Sequence, residues 1–354
     1  MKSNKLFFYI LGCILSLQSI DAQNYKSEIV LSDKVQPLSQ NNIFRDSEYF
    51  NWCNSIIKGK DGKYHMFYAR WNRDKHFQAW LTHSTVAHAV ADYPEGPYKY
   101  VNTVLDFQKD EYRKGGMITA HNPKIKYFNG KYYLYFISTK FYRDINNDEL
   151  LKLAKLGLSN NDRKYLREQQ RTFVAVADDL NGEWKIRKES LLEPSGPIRT
   201  LVVNPAITQG PDQRFYMIVK GDKPGTTKFE RNQAVAISDY PDHGFVLQSK
   251  PVIKDWDTED VSMWYDKVSE RFYAVFHAHK YIGMMTSKDG INWEKAQDFV
   301  VTKKCLQRKD GKEPLLPGRM ERPFVFIEDN IPSVLGLAIS KNGDSYILTI
   351  PLEK

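Results

Sequence analysis

Three acidic residues stand at the heads of two strand-like segments: Glu259 and Asp260 open the run through Trp264 and Tyr265, and Glu321 opens the run through Arg322, Pro323 and Val325. Carboxylates gathered at one site can divide acid–base work, one donating a proton while another accepts one or attacks, if their surroundings separate their proton affinities. Polar residues occupy matching places elsewhere: Asn54 after Cys53, Asn122 before Pro123, and Asn204 before Pro205. Arg319 and Arg322 flank Glu321, His121 precedes Asn122, and His277 and His279 leave the aromatic run that ends at Phe276. A histidine could serve as general acid, or with Asp260 could hold a divalent cation. The His277–His279 spacing offers no third fixed ligand, so no metal and no cofactor is assigned.

These residues need elements that bring them together. The stretch 258–276 reads as a strand, a polar turn and a second strand, and the plan recurs. Asn54 leads to Tyr64–Tyr68, Asn122 to Tyr132–Phe136, and Asn204 to Phe215–Val219, with a weaker copy from Arg322. A third strand follows each copy, and four of these run into a turn and an aromatic: Tyr98, Trp184, Phe245 and Trp293. Five copies predict an all-β chain, a five-bladed β-propeller. First strands then line the axis, where Asn54, Asn122, Asn204, Asp260 and Arg322 form one layer; Cys53, His121, Val203, Glu259 and Glu321 form the other. A strand candidate at 27–31 and the C-terminal run 345–350 are expected to meet and close the ring, which removes exposed edges. One helical insertion is expected in the second blade, over 147–156 and 159–169, with Asn147 and Ser159 as N-caps and Gly157 as a stop. It lies between second and third strands, which places it at the funnel mouth as a rim or lid.

Lys2 and Lys5 precede an apolar run, 6–17, too short to span a bilayer, and Asp21-Ala22-Gln23 supplies a small residue before a polar start. We therefore expect a signal peptide over 1–22, an exported (periplasmic or extracellular) protein and a single propeller domain over 23–354. Lipidation at Cys13 is the competing reading, disfavoured because the apolar run continues beyond it. Cys53 and Cys305 remain; an oxidising compartment permits one disulfide, and two buried thiols fit equally well. The formal charge of +8 is a mild basic excess that identifies no nucleic-acid partner. It is concentrated in connections expected at the mouth, such as 70–76 and 220–231.

The axial pattern resembles the five-bladed glycosidases of glycoside hydrolase families 32 and 43. It is more closely similar to secreted bacterial proteins of that superfamily described as glycoside hydrolases or sucrase-like; the resemblance rests on Trp52-Cys-Asn-Ser, Ala120-His-Asn-Pro, Asn204-Pro-Ala, Glu259-Asp and Glu321-Arg-Pro. It implies an exo-acting glycoside hydrolase working on oligosaccharides from a plant or algal polysaccharide, with Asp260 as base or nucleophile, Glu321 as acid and Glu259 beside them. Trp52, Asn54, Arg70, Trp71, His121, Asn122, Asn204, His277, His279, Arg319 and Arg322 are the expected substrate contacts, with Trp80 a further sugar-stacking face. The cationic mouth points to a uronate or sulfated sugar. The departure is that amides stand at Asn54 and Asn122 where those families carry acids. This keeps two other readings open: a glycan-binding propeller without catalysis, and a lyase acting on uronate-containing glycans. In a third, Glu259 and Glu321 are structural partners of Arg319 and Arg322.

Overall fold

The computed structural model describes residues 27–108, 116–141, 143–156, 160–226, 230–253 and 258–353. A short strand, β1 (Ile43–Phe44), comes first. The first blade follows as β2 (Tyr49–Lys58), β3 (Tyr64–Asn72), β4 (Thr85–Ala91) and β5 (Lys99–Leu105). The second is β6 (His121–Phe128), β7 (Lys131–Thr139), β8 (Gln170–Ala177) and β9 (Lys185–Ile186). The third is β10 (Arg199–Gln209), β11 (Phe215–Asp222), β12 (Arg231–Ser238) and β13 (Val246–Pro251). The fourth is β14 (Glu259–Asp266), β15 (Arg271–Ala278), β16 (Tyr281–Ser287) and β17 (Glu294–Lys303). The fifth contains β18 (Arg319–Glu328), β19 (Ile331–Lys341) and β20 (Asp344–Pro351). Each blade is a four-stranded antiparallel sheet, and β1 supplies the outermost strand of the fifth. This is the expected five-bladed propeller.

The ring closes through the N-terminal segment, but by Ile43–Phe44 pairing with Leu348 and Ile347, not by 27–31. The earlier segment is irregular. Its Leu31 and Ser32 amides donate to the Asp298 carboxylate, and the Leu31 side chain packs into the core between the fourth and fifth blades. Blades in a ring bury both faces, which explains why middle strands such as Met66–Ala69 and Tyr132–Ile137 are buried continuously instead of alternating with water. One apolar cluster fills each junction. Phe44, Ile56, Met66 and Phe326 join the first blade to the fifth, and Val86, Ile125, Leu134 and Phe136 join the first to the second.

Every inner strand carries an irregularity at the same place. The pairing of first with second strand slips beyond Trp52, His121, Val203, Glu259 and Glu321. The next residue in each, Cys53, Asn122, Asn204, Asp260 and Arg322, has φ between 51° and 56°. Asparagine and aspartate tolerate this left-handed conformation better than other side-chain-bearing residues. The bulge turns the residue off the sheet face and toward the axis.

That register corrects the first blade by one residue: Cys53, not Asn54, belongs to the axial layer. Asn54 is fully buried between blades, against Gly336 on β19, and its amide has no hydrogen-bond partner among the described residues. A Cβ on residue 336 would lie 1.9 Å from Asn54 Oδ1. Gly336→Ala should therefore lower stability by about 1–3 kcal/mol through overpacking, read as a reduced urea midpoint; an unchanged midpoint would mean that this junction can open.

The insertion forms helices Asn147–Lys155 and Asn161–Glu168. Their N-caps are Asn146 and Asn160, whose side chains accept from the Glu149 and Arg163 amides; Gly157 and Ser159 lie outside the described residues. The β3–β4 connection carries a further short helix, Trp80–His83, which the sequence reading did not anticipate. Cys53 is buried and Cys305 exposed, and both are free thiols, so the permitted disulfide is absent. No helix among the described residues is long and apolar enough to cross a membrane. The leader expected over 1–22 falls outside the described residues.

Candidate active site

The five bulge residues touch in sequence around the axis. The Cys53 thiol donates to Asn122 Oδ1, Asn122 Nδ2 donates to Asn204 Oδ1 at 2.6 Å, Asn204 Nδ2 donates to Asp260 Oδ1, and Arg322 Nη1 donates to the same carboxylate oxygen. Asp260 is the only acid in this ring, and its side chain is 2% exposed. Lys220 Nζ sits 3.1 Å from Oδ1, and His277 Nδ1 sits 3.0 Å from Oδ2. Burial alone would raise the Asp260 pKa, but Arg322, Lys220 and His277 outweigh it and hold the carboxyl well below the usual range. Burial pushes the Cys53 thiol up to about 12, so it is protonated and can donate at neutral pH.

Glu259 lies one residue before the bulge, and its side chain is 30% exposed. Lys220 Nζ donates to its Oε2 at 2.7 Å. Burial raises its pKa, and so does Asp260, but the attraction of Lys220 prevails and the net shift is downward. Lys220 thus bridges two carboxylates from the second strand of the neighbouring blade.

Above the ring opens a cavity of 530 Å³. Asn122, Asn204 and Arg322 form its floor, Glu259 and Lys220 one side, and Arg319 another. Ala154, Lys155, Leu156, Arg163 and Arg167 of the helical insertion, with Gln78 and Trp80, complete the wall. The insertion is therefore the rim that its sequence position predicted. Seven cationic side chains line this cavity against one carboxylate, that of Glu259. Below the ring is a small hollow of 10 Å³, where Asp260 and Cys53 are found with Lys124.

Carboxylate oxygens of Glu259 and Asp260 and a ring nitrogen of His277 lie within 4.8 Å of one another, close enough for a shared divalent cation. That position is already supplied with charge by the protein, since Lys220 contacts both carboxylates and Arg322 contacts Asp260. The residues present do not fit a resident metal ion.

Of the expected site residues, Glu259, Asn122, Asn204, Arg319 and Arg322 line the cavity and Asp260 lies beneath it. Glu321 is on the equivalent position of the adjacent blade, 14% exposed and bonded to Arg319 at 2.7 Å. The expected partnership of Glu321 with Arg319 is present, whereas Glu259 takes Lys220 instead of an arginine. His277 does not line the cavity; it lies beside Asp260, with its Nδ1 3.0 Å from Oδ2.

The others sit apart from the lining. Trp52 and Trp71 are buried against Phe77, with Arg319 over the Trp52 ring. His121 bonds Ser84 and stacks on Trp80, and burial, then Arg322, keep it neutral. Arg70 is clamped between Tyr49 and Tyr100, bonded to Asp46 and Thr103. His279 is exposed at the β15–β16 turn. Trp80 does reach the cavity. The sequence reading missed Lys220 and Arg163, whose placement depends on neighbouring elements.

No protein-family model and no curated relative matches the chain. Solved structures do. Zg3597, a family 117 glycoside hydrolase from the marine bacterium Zobellia galactanivorans, superposes with a TM-score of 0.60 at 16% identity, covering 90% of this chain and 89% of its own. CoXyl43, a family 43 β-xylosidase/α-arabinofuranosidase from a compost metagenome, gives 0.55 at 13% identity, covering 89% and 94%. An α-L-arabinofuranosidase from Lactobacillus brevis gives 0.54 at 14% identity, covering 91% and 94%. With the ring of five bulges, these likenesses establish the fold: the chain is a five-bladed β-propeller of the architecture shared by glycoside hydrolases of families 117 and 43.

Proposed function

We propose that this protein is an exported, exo-acting glycoside hydrolase that trims oligosaccharides derived from a polysaccharide. The observation that carries the reading is Glu259, an ionised carboxylate reaching a cavity that is floored by hydrogen-bonding amides. The cavity is closed below by the side-chain ring, which suits the end of a chain better than a chain running through. Hydrolysis requires two carboxyl groups at the scissile bond. Glu259 lines the cavity with its side chain 30% exposed, and Glu321, 14% exposed, holds the equivalent position on the adjacent blade. Glu259 is assigned to activate water. Glu321 is assigned to protonate the leaving oxygen once substrate has drawn Arg319 away from it.

Asp260, the base favoured from sequence alone, lies beneath the floor with Oδ1 engaged by Lys220 and Arg322 and Oδ2 facing His277 at 3.0 Å; its role here is to position Lys220 and Arg322. Asn122, Asn204 and Trp80 would contact the sugar, and the cationic lining favours one bearing acid groups. Incubation with a panel of neutral and acidic oligosaccharides, followed by mass analysis, should show loss of a single terminal unit per turnover. Internal cleavage would sink the exo assignment, and intact glycans throughout would sink hydrolysis. The ring's four non-acidic members favour one other reading, a glycan-binding propeller without turnover. It predicts binding with no product.

A further inference from the structure

Arg163 is 3% exposed and lines the cavity from the insertion. Its Nη1 donates to the Leu153 and Ala154 carbonyls at 3.2 and 3.0 Å, closing the end of the preceding helix, and its Nη2 donates to Gln78 Oε1 at 3.3 Å. All three acceptors are neutral. No carboxylate among the described residues lies within ion-pair distance of it, unlike Lys220, Arg319 and Arg322 on the same walls. A guanidinium has five N–H donors, and these bonds to three acceptors leave donors over, the Nε–H among them. A carboxylate or sulfate is the acceptor that suits a guanidinium best.

Burying a cation without a counter-charge is costly. The cost is offset if the counter-charge arrives with the ligand. Lys155, exposed at the end of the helix that Arg163 closes, adds a second positive charge on this side of the cavity.

We infer that Arg163 reads substrate charge: the sugar unit resting against the helical wall carries a carboxylate or sulfate, and the Arg163 guanidinium receives it. This rests on the glycan reading of the same cavity and adds to it which unit is acidic and which residue recognises it. It also gives the insertion a function. The arginine that holds its two helices together also presents charge to the ligand.

The test uses the full chain carrying Glu259→Gln, so that binding is measured without turnover. Calorimetric titrations at low salt compare length-matched pairs: an oligogalacturonide or oligoglucuronide, and a sulfated galactose oligomer, each against its neutral parent. At least one acidic member should bind about ten-fold or more tightly than its parent. Adding Arg163→Met should remove about 10- to 100-fold of that affinity while leaving neutral binding near its starting value, the range expected for a lost charge-assisted pair. Whether the uronate or sulfate arm shows the preference identifies the anion.

If Arg163→Met does not fold, Lys155→Met serves, since Lys155 makes no bond that closes the helix end. A smaller loss, confined to the acidic member, is then expected. Equal affinity for acidic and neutral members of every pair would overturn the inference. So would an Arg163→Met protein that melts earlier but keeps its acidic preference, because that is a helix-closing residue alone. Hydrolysis fails separately, when the unmodified protein binds a glycan and releases no product.

Discussion

Asp260→Asn should lower the stability of the propeller by about 3–5 kcal/mol, the cost typical of removing one partner from a buried ion pair. The substitution keeps shape and leaves an acceptor for Asn204 Nδ2, but strips the charge that Lys220 and Arg322 share on Oδ1. Lys220 retains Glu259, whereas Arg322 would be left facing the amides of the ring. Pairing Asp260→Asn with Lys220→Met should give less than the sum of the two losses, because both changes remove the same Lys220–Asp260 contact.

The pH dependence has a definite sign. Asp260 is held well below its ordinary value in the fold, so the unfolded chain takes up the proton first as pH falls. Its contribution is therefore complete above about pH 4, near the unfolded aspartate value, and is lost progressively below that. Urea melts between pH 3 and 7 should show a steep acid loss in the unmodified protein and a shallower one in Asp260→Asn. A destabilisation under about 1 kcal/mol, typical of a surface pair, would mean that the ring is not held by this charge.

The fold could be read from the chain because each blade repeats its own strand pattern, and the insertion could be placed because it interrupts that pattern at an identifiable joint. The site was less legible. In the second, third and fifth blades a proline follows the bulge residue, as in Asn122-Pro123, Asn204-Pro205 and Arg322-Pro323. The first blade has no proline, so its asparagine attracted the alignment, although the bulge falls on Cys53. Cysteine is not a residue that left-handed backbone favours, and only the pairing of Trp52 with Ala69 and Ser55 with Phe67 fixes the register. Lys220 left a signal that could have been used. The residues opposite the pre-bulge position are Ala69, Ile137, Lys220, His277 and Ala338, so two polar side chains interrupt an otherwise apolar set. Both contact Asp260. Arg163 left none, because its meaning depends on which carbonyls end the preceding helix and on the lack of a facing carboxylate.

The assignment of the chemistry turns on solvent access, which sequence does not report. Glu259→Gln should reduce turnover by about 10²–10⁴-fold, the range for loss of a general acid or base, and should leave the fold intact because the amide still accepts from Lys220. Sequence alone favoured Asp260 as base or nucleophile, with Glu259 beside it. The structure reverses the order of access: Glu259 is 30% exposed at its side chain and lines the cavity, while Asp260 is 2% exposed beneath it. The Gln variant should lose kcat with little change in KM if the carboxylate acts in the transition state. Because Lys220 holds the Glu259 pKa below its ordinary 4.5, turnover should persist into mildly acidic solution and fall only as Glu259 takes up its proton. Lys220→Met removes that hold, so the acid limb should move to higher pH, an effect that loss of general packing would not produce. Turnover within about three-fold of the unmodified rate in Glu259→Gln would displace this residue from the mechanism. Glycan binding retained in both variants, with no product from the unmodified chain, would leave the propeller as a sugar-binding protein whose one axial acid serves the ring.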